Sequence, residues 1–340
     1  MMPLVPPVDT RVVTVRTLAR EGRWEELCAL FTPFPPSSEL SGELLLIPGE
    51  AHLRTGNPTM ARVWIPRALM VARERYDRIA ERTLWNQLGA ANFELGMLDE
   101  AEDAFVHALA RARQEGDQLL VARASNNTGM IANIRGNREL ATSHYHHAIA
   151  AYQRLGHLRG LSETYHNLAL TAREQLNLDV ADQYEAQAID FAEQARDRRL
   201  LVMGEIGLAE DCLLRGDALL AERRSQRAAK QCAELGDAAN EADALRITGA
   251  AQLLGGRALA AGQVLTRAVA LAREHHAPLI EAEALLVRAR YHVVMGNLQF
   301  AGSDARHALE IFERLRSTQS EAVRQWLQTL TGELASQRSD

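Results

Sequence analysis

Small and apolar residues return along this chain at a fixed spacing of 40. Alanine stands at 61, 101, 141, 181, 221, 261 and 301, and a second set at 68, 108, 148, 188, 228, 268 and 308. Gly56, Gly96, Gly136, Gly216, Gly256 and Gly296 mark a turn in the same phase, and only Leu176 breaks that series. In residues 83–117, Trp85, Leu88 and Phe93 form a helical apolar stripe that stops at Leu95–Gly96. Ala101, Phe105, Ala108 and Leu109 follow at helical spacing, after acids at 99, 100, 102 and 103 that oppose the positive end of a helix dipole. The pattern predicts an antiparallel helix hairpin, repeated, with no strand. One hairpin cannot cover its own apolar face, so stacked copies must cover one another as in a solenoid.

Seven residues before each turn lies another small residue: Gly49, Gly89, Gly129, Ala169, Ala209, Gly249 and Ala289. Facing the alanines of the second helix, they predict close backbone approach. Phe105, Tyr145 and Leu265 should then fill the space towards the next hairpin. Pro48 removes a backbone donor inside the first helix of unit one and should bend it. Ser225 and Ala305 stand where a bulky residue belongs. Residues 14–31 read as a degenerate hairpin turning at Gly22, and FTPFPPSSEL (31–40) as a rigid, helix-breaking connection. The domain reading is a degenerate hairpin and connection over 1–40, seven repeats over 41–318, and a capping helix and tail over 319–340.

Hydrophobic residues make up 47% of the chain but aromatics only 5%, so the core must be built from Ala and Leu through close helix contacts. A net charge of -6 argues against non-specific nucleic-acid binding, which needs a basic face. Lys230 is the single lysine, a bias that fits a G+C-rich bacterial genome. Cys28, Cys212 and Cys232 are too scattered for a disulfide framework and are expected as buried free thiols. No secretory signal or membrane-length apolar run is read, so the expectation is a cytoplasmic protein without a membrane partner.

No constellation suggests catalysis, a cofactor or a metal. There is no phosphate loop after a strand, no HExxH and no zinc-spaced cysteine pair. His144, His146 and His147 cluster, but a helix turns His144 and His146 apart. Asn126-Asn127-Thr128 matches a glycosylation sequon on a helix, where it has no use in a cytosolic chain.

The series Trp85, Leu88–Gly89, Phe93, Gly96, Ala101, Phe105 and Ala108 resembles the tetratricopeptide repeat, in phase over about residues 41–315. The 40-residue period exceeds that family's usual 34 and looks like its long-helix subgroup. The resemblance implies an all-α, right-handed superhelical solenoid whose first helices line a concave groove. Nine and ten residues before successive turns stand Asn86 and Gln87, Asn126 and Asn127, then His166 and Asn167. A carboxamide donates and accepts, so a ladder of them can hold the backbone of an extended peptide. Related long-repeat proteins use asparagines this way, and the resemblance implies the same here. Arg123 and Arg173 are candidates to meet a ligand carboxylate, and Phe93, Met130 and Leu170 to supply apolar contacts.

Beyond the fourth unit these positions turn apolar: Ile206 and Gly207, Arg246 and Ile247, Leu286 and Val287, with Leu213, Leu214, Leu253, Leu254, Val293 and Val294 nearby. Tight closure of the superhelix, a covering partner or a homodimer would each account for them. The leading functional expectation is a non-catalytic scaffold that binds an extended segment of a partner protein. The alternative is a peptide-responsive regulator, or the repeat portion of a transcriptional regulator.

Overall fold

In the computed structural model, which describes residues 8–31 and 42–336, every regular element is an α-helix. The first eight are α1 (Val8–Glu21), α2 (Trp24–Phe31), α3 (Glu43–Arg54), α4 (Pro58–Glu74), α5 (Arg78–Glu94), α6 (Leu98–Glu115), α7 (Gln118–Ile134) and α8 (Arg138–Leu155). There follow α9 (Leu158–Glu174), α10 (Leu178–Gln194), α11 (Arg198–Leu214), α12 (Ala218–Leu235), α13 (Ala238–Leu254), α14 (Ala258–Glu274), α15 (Pro278–Val294), α16 (Leu298–Arg314) and α17 (Gln319–Ser336). Successive helices pack on one another from α1 to α6 and from α8 to α17, and α3 packs on α5, α9 on α11, α11 on α13 and α13 on α15. The chain divides into two compact units, residues 1–127 and 128–340, a boundary inside α7 that the repeat pattern does not announce. The proline-rich run 32–40 lies outside the described residues.

The turns carry a finer period than the apolar pattern. Positive φ recurs every 20 residues at Gly56, Tyr76, Gly96, Gly116, Gly136, Gly156, Leu176, Arg196, Gly216, Gly236, Gly256, His276, Gly296 and Arg316. At each, the helix ends with the same pair of bonds. Gly96 N donates to Phe93 O at 2.9 Å and Met97 N to Asn92 O at 2.8 Å. This six-to-one closure needs a left-handed residue, which glycine supplies without a Cβ penalty. Leu176, expected to break the series, adopts φ 57° and closes its helix the same way, Leu176 N donating to Arg173 O and Asn177 N to Ala172 O. Stacking imposes the turn even where the residue resists it.

The hairpin seam differs from the expectation in one respect. Gly89 faces the bulky residue of its own hairpin, not an alanine. A Cβ there would lie 2.5 Å from the Phe105 ring, and Gly129 and Gly249 stand likewise against Tyr145 and Leu265. The large residues thus point into the glycine notch, because only there is the first helix thin enough to admit a ring. The alanines at 101, 141, 221 and 261 are fully buried as predicted. Trp85, Leu88 and Phe93 are only half-buried; Leu84 and Ala91 hold the inner face of α5. Cys28 and Cys212 are half-exposed, and only Cys232 is buried. Burial pushes the Cys232 thiol up to about 12.

The second unit returns on itself. Thr318 N, between α16 and α17, donates to Ile134 O at 3.4 Å, and a Cβ on Gly136 would meet the Thr318 methyl. Ile206, Ile247 and Val287 lie buried between its helices, while Leu214, Leu254 and Val294 remain exposed along one edge.

Candidate functional site

In the first unit, the amides of α5 and α7 are unequally placed. Asn86 and Asn127 are half-buried, Arg123 is exposed and Phe93 half-buried. Gln87 is buried: its Nε2 donates to Leu46 O of α3 at 3.1 Å, tying the first helices of successive hairpins together. Asn126 is 5% exposed and already partnered. Three amide oxygens on α5, Asn86 Oδ1, Gln87 Oε1 and Asn92 Oδ1, are buried and meet no protein donor. An unsatisfied buried acceptor costs about 1–3 kcal/mol, so such atoms call for an explanation.

In the second unit the same flank carries charge. Arg173 was expected to await a ligand carboxylate. Instead it is sealed at 6% exposure between two fully buried carboxylates. Its Nε donates to Asp211 Oδ1 at 2.7 Å and its Nη2 to Glu185 Oε2 at 3.1 Å. A guanidinium so enclosed has its donors spent within the fold. His166, also expected to face a ligand, places Nδ1 2.7 Å from Glu185 Oε1. Asn167 is 8% exposed, and its carbonyl accepts from the Thr171 hydroxyl. Met130 and Leu170 are half-buried.

Glu185 is the residue that pattern reading overlooks. It stands nine residues after Leu176, where Phe105 and Tyr145 sit in their hairpins, so a carboxylate replaces a core ring. The signal was present: Gly204 and Gly207 on the following first helix leave its volume open. A Cβ on Gly207 would fall 2.2 Å from Glu185 Oε2. Burial raises the Asp211 carboxyl, with Arg173 pulling it back, and it raises Glu174, which Arg138 opposes.

The cluster is one step of a polar ladder joining consecutive first helices. Asn133 donates to Glu174 and accepts from Thr171, joining α7 to α9. Arg173 joins α9 to α11. On α13, Arg246 binds Glu210 of α11 through both terminal nitrogens and lies 3.5 Å from Glu283 of α15. Gln319 Nε2 of α17 closes on Glu283 at 3.4 Å. Burial would raise the Glu210 carboxyl, but Arg246 outweighs it and holds it low. Glu283, farther from that guanidinium, is pushed up to about 7 by burial. Most of this flank is therefore occupied by the fold's own pairs, each made across some 36–41 residues of sequence. Among the described residues, no three His, Cys, Asp or Glu are placed to hold a metal ion. His146 and His147 are exposed on α8. No helix there is long and apolar enough to cross a membrane.

Stacked two-helix units with small-residue seams and left-handed turns define a helical-repeat protein with the tetratricopeptide fold. Solved structures with that fold agree, at 14% identity. A Rap protein complexed with competence and sporulation factor matches over 97% of this chain and 99% of its own, with a TM-score of 0.61. The Rap conjugation gene regulator of plasmid pLS20, in complex with the Phr* peptide, covers 80% of this chain and 74% of its own at 0.66. The APC/C hetero-tetramer Cut9-Hcn1 covers 92% of this chain and 55% of its own at 0.59. The sequence matches no family model and no curated relative.

Proposed function

We propose that this protein is a non-catalytic regulatory scaffold that binds an extended segment of a partner protein along the exposed flank of its first helices. The observation that carries the reading is Asn86 Oδ1 on α5, an amide oxygen without a donor on a side chain that is only half-buried. A peptide N–H is the donor such an acceptor takes, and half-buried Asn127, exposed Arg123 and half-buried Phe93 supply further contacts within the same unit. Asn126, Asn167 and Arg173 are structural in this reading, since their polar groups already have partners. A rigid scaffold loses little entropy on binding, so affinity accumulates from several modest contacts. Of the structures with the same fold, one is described in complex with competence and sporulation factor and another with the Phr* peptide.

The test is selection from a peptide-display library on the immobilised protein, followed by calorimetry with the selected sequences. Asn86→Ala combined with Asn127→Ala should weaken them by about tenfold or more, at one lost hydrogen bond per site, with unchanged melting. Failure to enrich any peptide, or affinity indifferent to the pair, would sink the reading.

A second reading is favoured by the Thr318–Ile134 contact: a regulator whose second unit changes pitch when a peptide binds. Scattering profiles with and without a selected peptide separate the two, a changed envelope favouring the switch. Self-association would use the exposed edge of Leu214, Leu254 and Val294, and sedimentation of Leu254→Glu against wild type tests it.

A further inference from the structure

The turn between α4 and α5 contains an arrangement that neither peptide binding nor packing accounts for. Arg73 at the end of α4, Arg78 at the start of α5 and Arg111 on α6 line a depression of about 330 Å³ together with Tyr76 and Glu81. Glu81 is nearly buried and organises two of the guanidiniums. It accepts from Arg73 Nε at 3.1 Å and lies 3.8 Å from Arg111 Nη2. Arg73 is further fixed by stacking over the Trp85 ring, 5.2 Å from its centroid. Arg78 is exposed, and no ion pair to it appears among the described residues. Asp77, the other acid at this turn, directs Oδ1 to Ala80 N as the N-cap of α5. Two of the three guanidiniums therefore share one carboxylate, and Arg78 lines the same depression.

Tyr76 supplies the independent observation. It is 88% exposed and holds φ at 58°, in a turn position that most of this chain gives to glycine. An aromatic residue there gains almost no burial and bears the left-handed strain. Leu176, Arg196, His276 and Arg316 hold the same conformation at equivalent turns, so what sets Tyr76 apart is an exposed ring at the rim of the arginine-lined depression.

We propose that this depression binds a phosphate monoester. A carboxylate is planar and is satisfied by a single bidentate guanidinium. A phosphate group presents three oxygens in a tetrahedral spread, and a dianion matches the surplus positive charge. Arg73, Arg111 and Arg78 approach from two helix ends and a helix flank, with the Tyr76 hydroxyl as a further donor. The phosphate belongs either to a small metabolite or to a phosphorylated residue of a partner, and both share this chemistry. The site lies on a different part of the first unit from the amides of α5 and α7, so it stands or falls apart from the peptide reading.

Calorimetry on the full chain at low ionic strength would use inorganic phosphate, phenyl phosphate, a mononucleotide and a phosphoserine peptide beside its unphosphorylated form. Saturable binding is expected for the phosphorylated probes and not for the unphosphorylated peptide. Arg78→Gln with Arg111→Gln should weaken it about a hundredfold, at about tenfold per lost charge-assisted contact. Tyr76→Gly should weaken binding while raising the melting temperature, since it removes donor and strain together. Tighter binding of the phosphopeptide assigns the phosphate to a partner protein, and tighter binding of the mononucleotide assigns it to a metabolite. Absence of saturable binding by every phosphorylated probe overturns the proposal. So does an affinity unchanged in both the double arginine variant and Tyr76→Gly.

Discussion

Replacing Arg173 by Met tests the buried charge cluster most directly. The substitution keeps the aliphatic bulk and removes three bonds: Nε to Asp211 Oδ1 at 2.7 Å, Nη2 to Asp211 Oδ2 at 3.2 Å, and Nη2 to Glu185 Oε2 at 3.1 Å. It leaves two carboxylates, each with 0% side-chain exposure, with Glu185 keeping only its contact to the His166 ring. Breaking a buried pair by deleting one partner costs about 3–5 kcal/mol, far above the value of exposed pairs such as Arg23–Glu26. The variant should relieve itself by taking up a proton. Burial already raises Asp211, and losing the guanidinium raises it further. A carboxyl with a raised folded-state pKa contributes stability below its unfolded pKa and loses it as pH rises through the folded one. The deficit should therefore be largest near neutrality and shrink in mild acid by about 1.4 kcal/mol or more, one proton over one pH unit. Urea unfolding followed by far-UV circular dichroism at both pH values measures this. Replacing all three charges by Met and Leu should recover most of the loss, because matched apolar groups demand no solvation. A deficit under about 1 kcal/mol, or one independent of pH, would refute the claim that these charges are sealed and mutually dependent.

Leu176→Gly should raise stability by about 1 kcal/mol, because Leu176 holds φ 57° and is 73% exposed, so its side chain adds little packing in return. A lowered melting temperature would show that its side chain matters. Gly89→Ala should cost about 1–3 kcal/mol, since the new methyl falls 2.5 Å from Phe105; Phe105→Leu in the same chain should recover part of it. Equal losses with and without the second change would contradict the notch. Glu94 is pushed up to about 7 by burial alone, and Glu283 to about 7 by burial against the pull of Arg246. Both are acids raised on folding, so stability should fall as pH rises through 7. Glu94→Gln should flatten part of that slope, and an unaltered slope would count against a desolvated Glu94.

Each part of the fold was readable to the degree that its cause is local. Helix hairpins follow from apolar spacing and turn glycines. The 20-residue turn period stayed hidden because Tyr76, Arg196, His276 and Arg316 occupy four of its seven positions between hairpins, and residue type alone does not reveal φ. Pro66 sits within α4 as Pro48 does within α3, and neither ends its helix. The candidate site was read less well. Asn86 and Asn127 are half-buried, yet Gln87, at the register of Asn127, and Arg173, six positions further along its own unit, are held by neighbouring helices.

By itself the sequence determined a periodic all-helical array, because helix spacing, small-residue seams and turn signals act within about 40 residues and repeat in phase. Tertiary structure alone decided which polar side chains remain available. Burial of Arg173 depends on Asp211, and that of Gln87 on Leu46, partners some 38–41 residues away. A charged or amide side chain exposed on one helix becomes a structural tie once the next first helix is laid beside it.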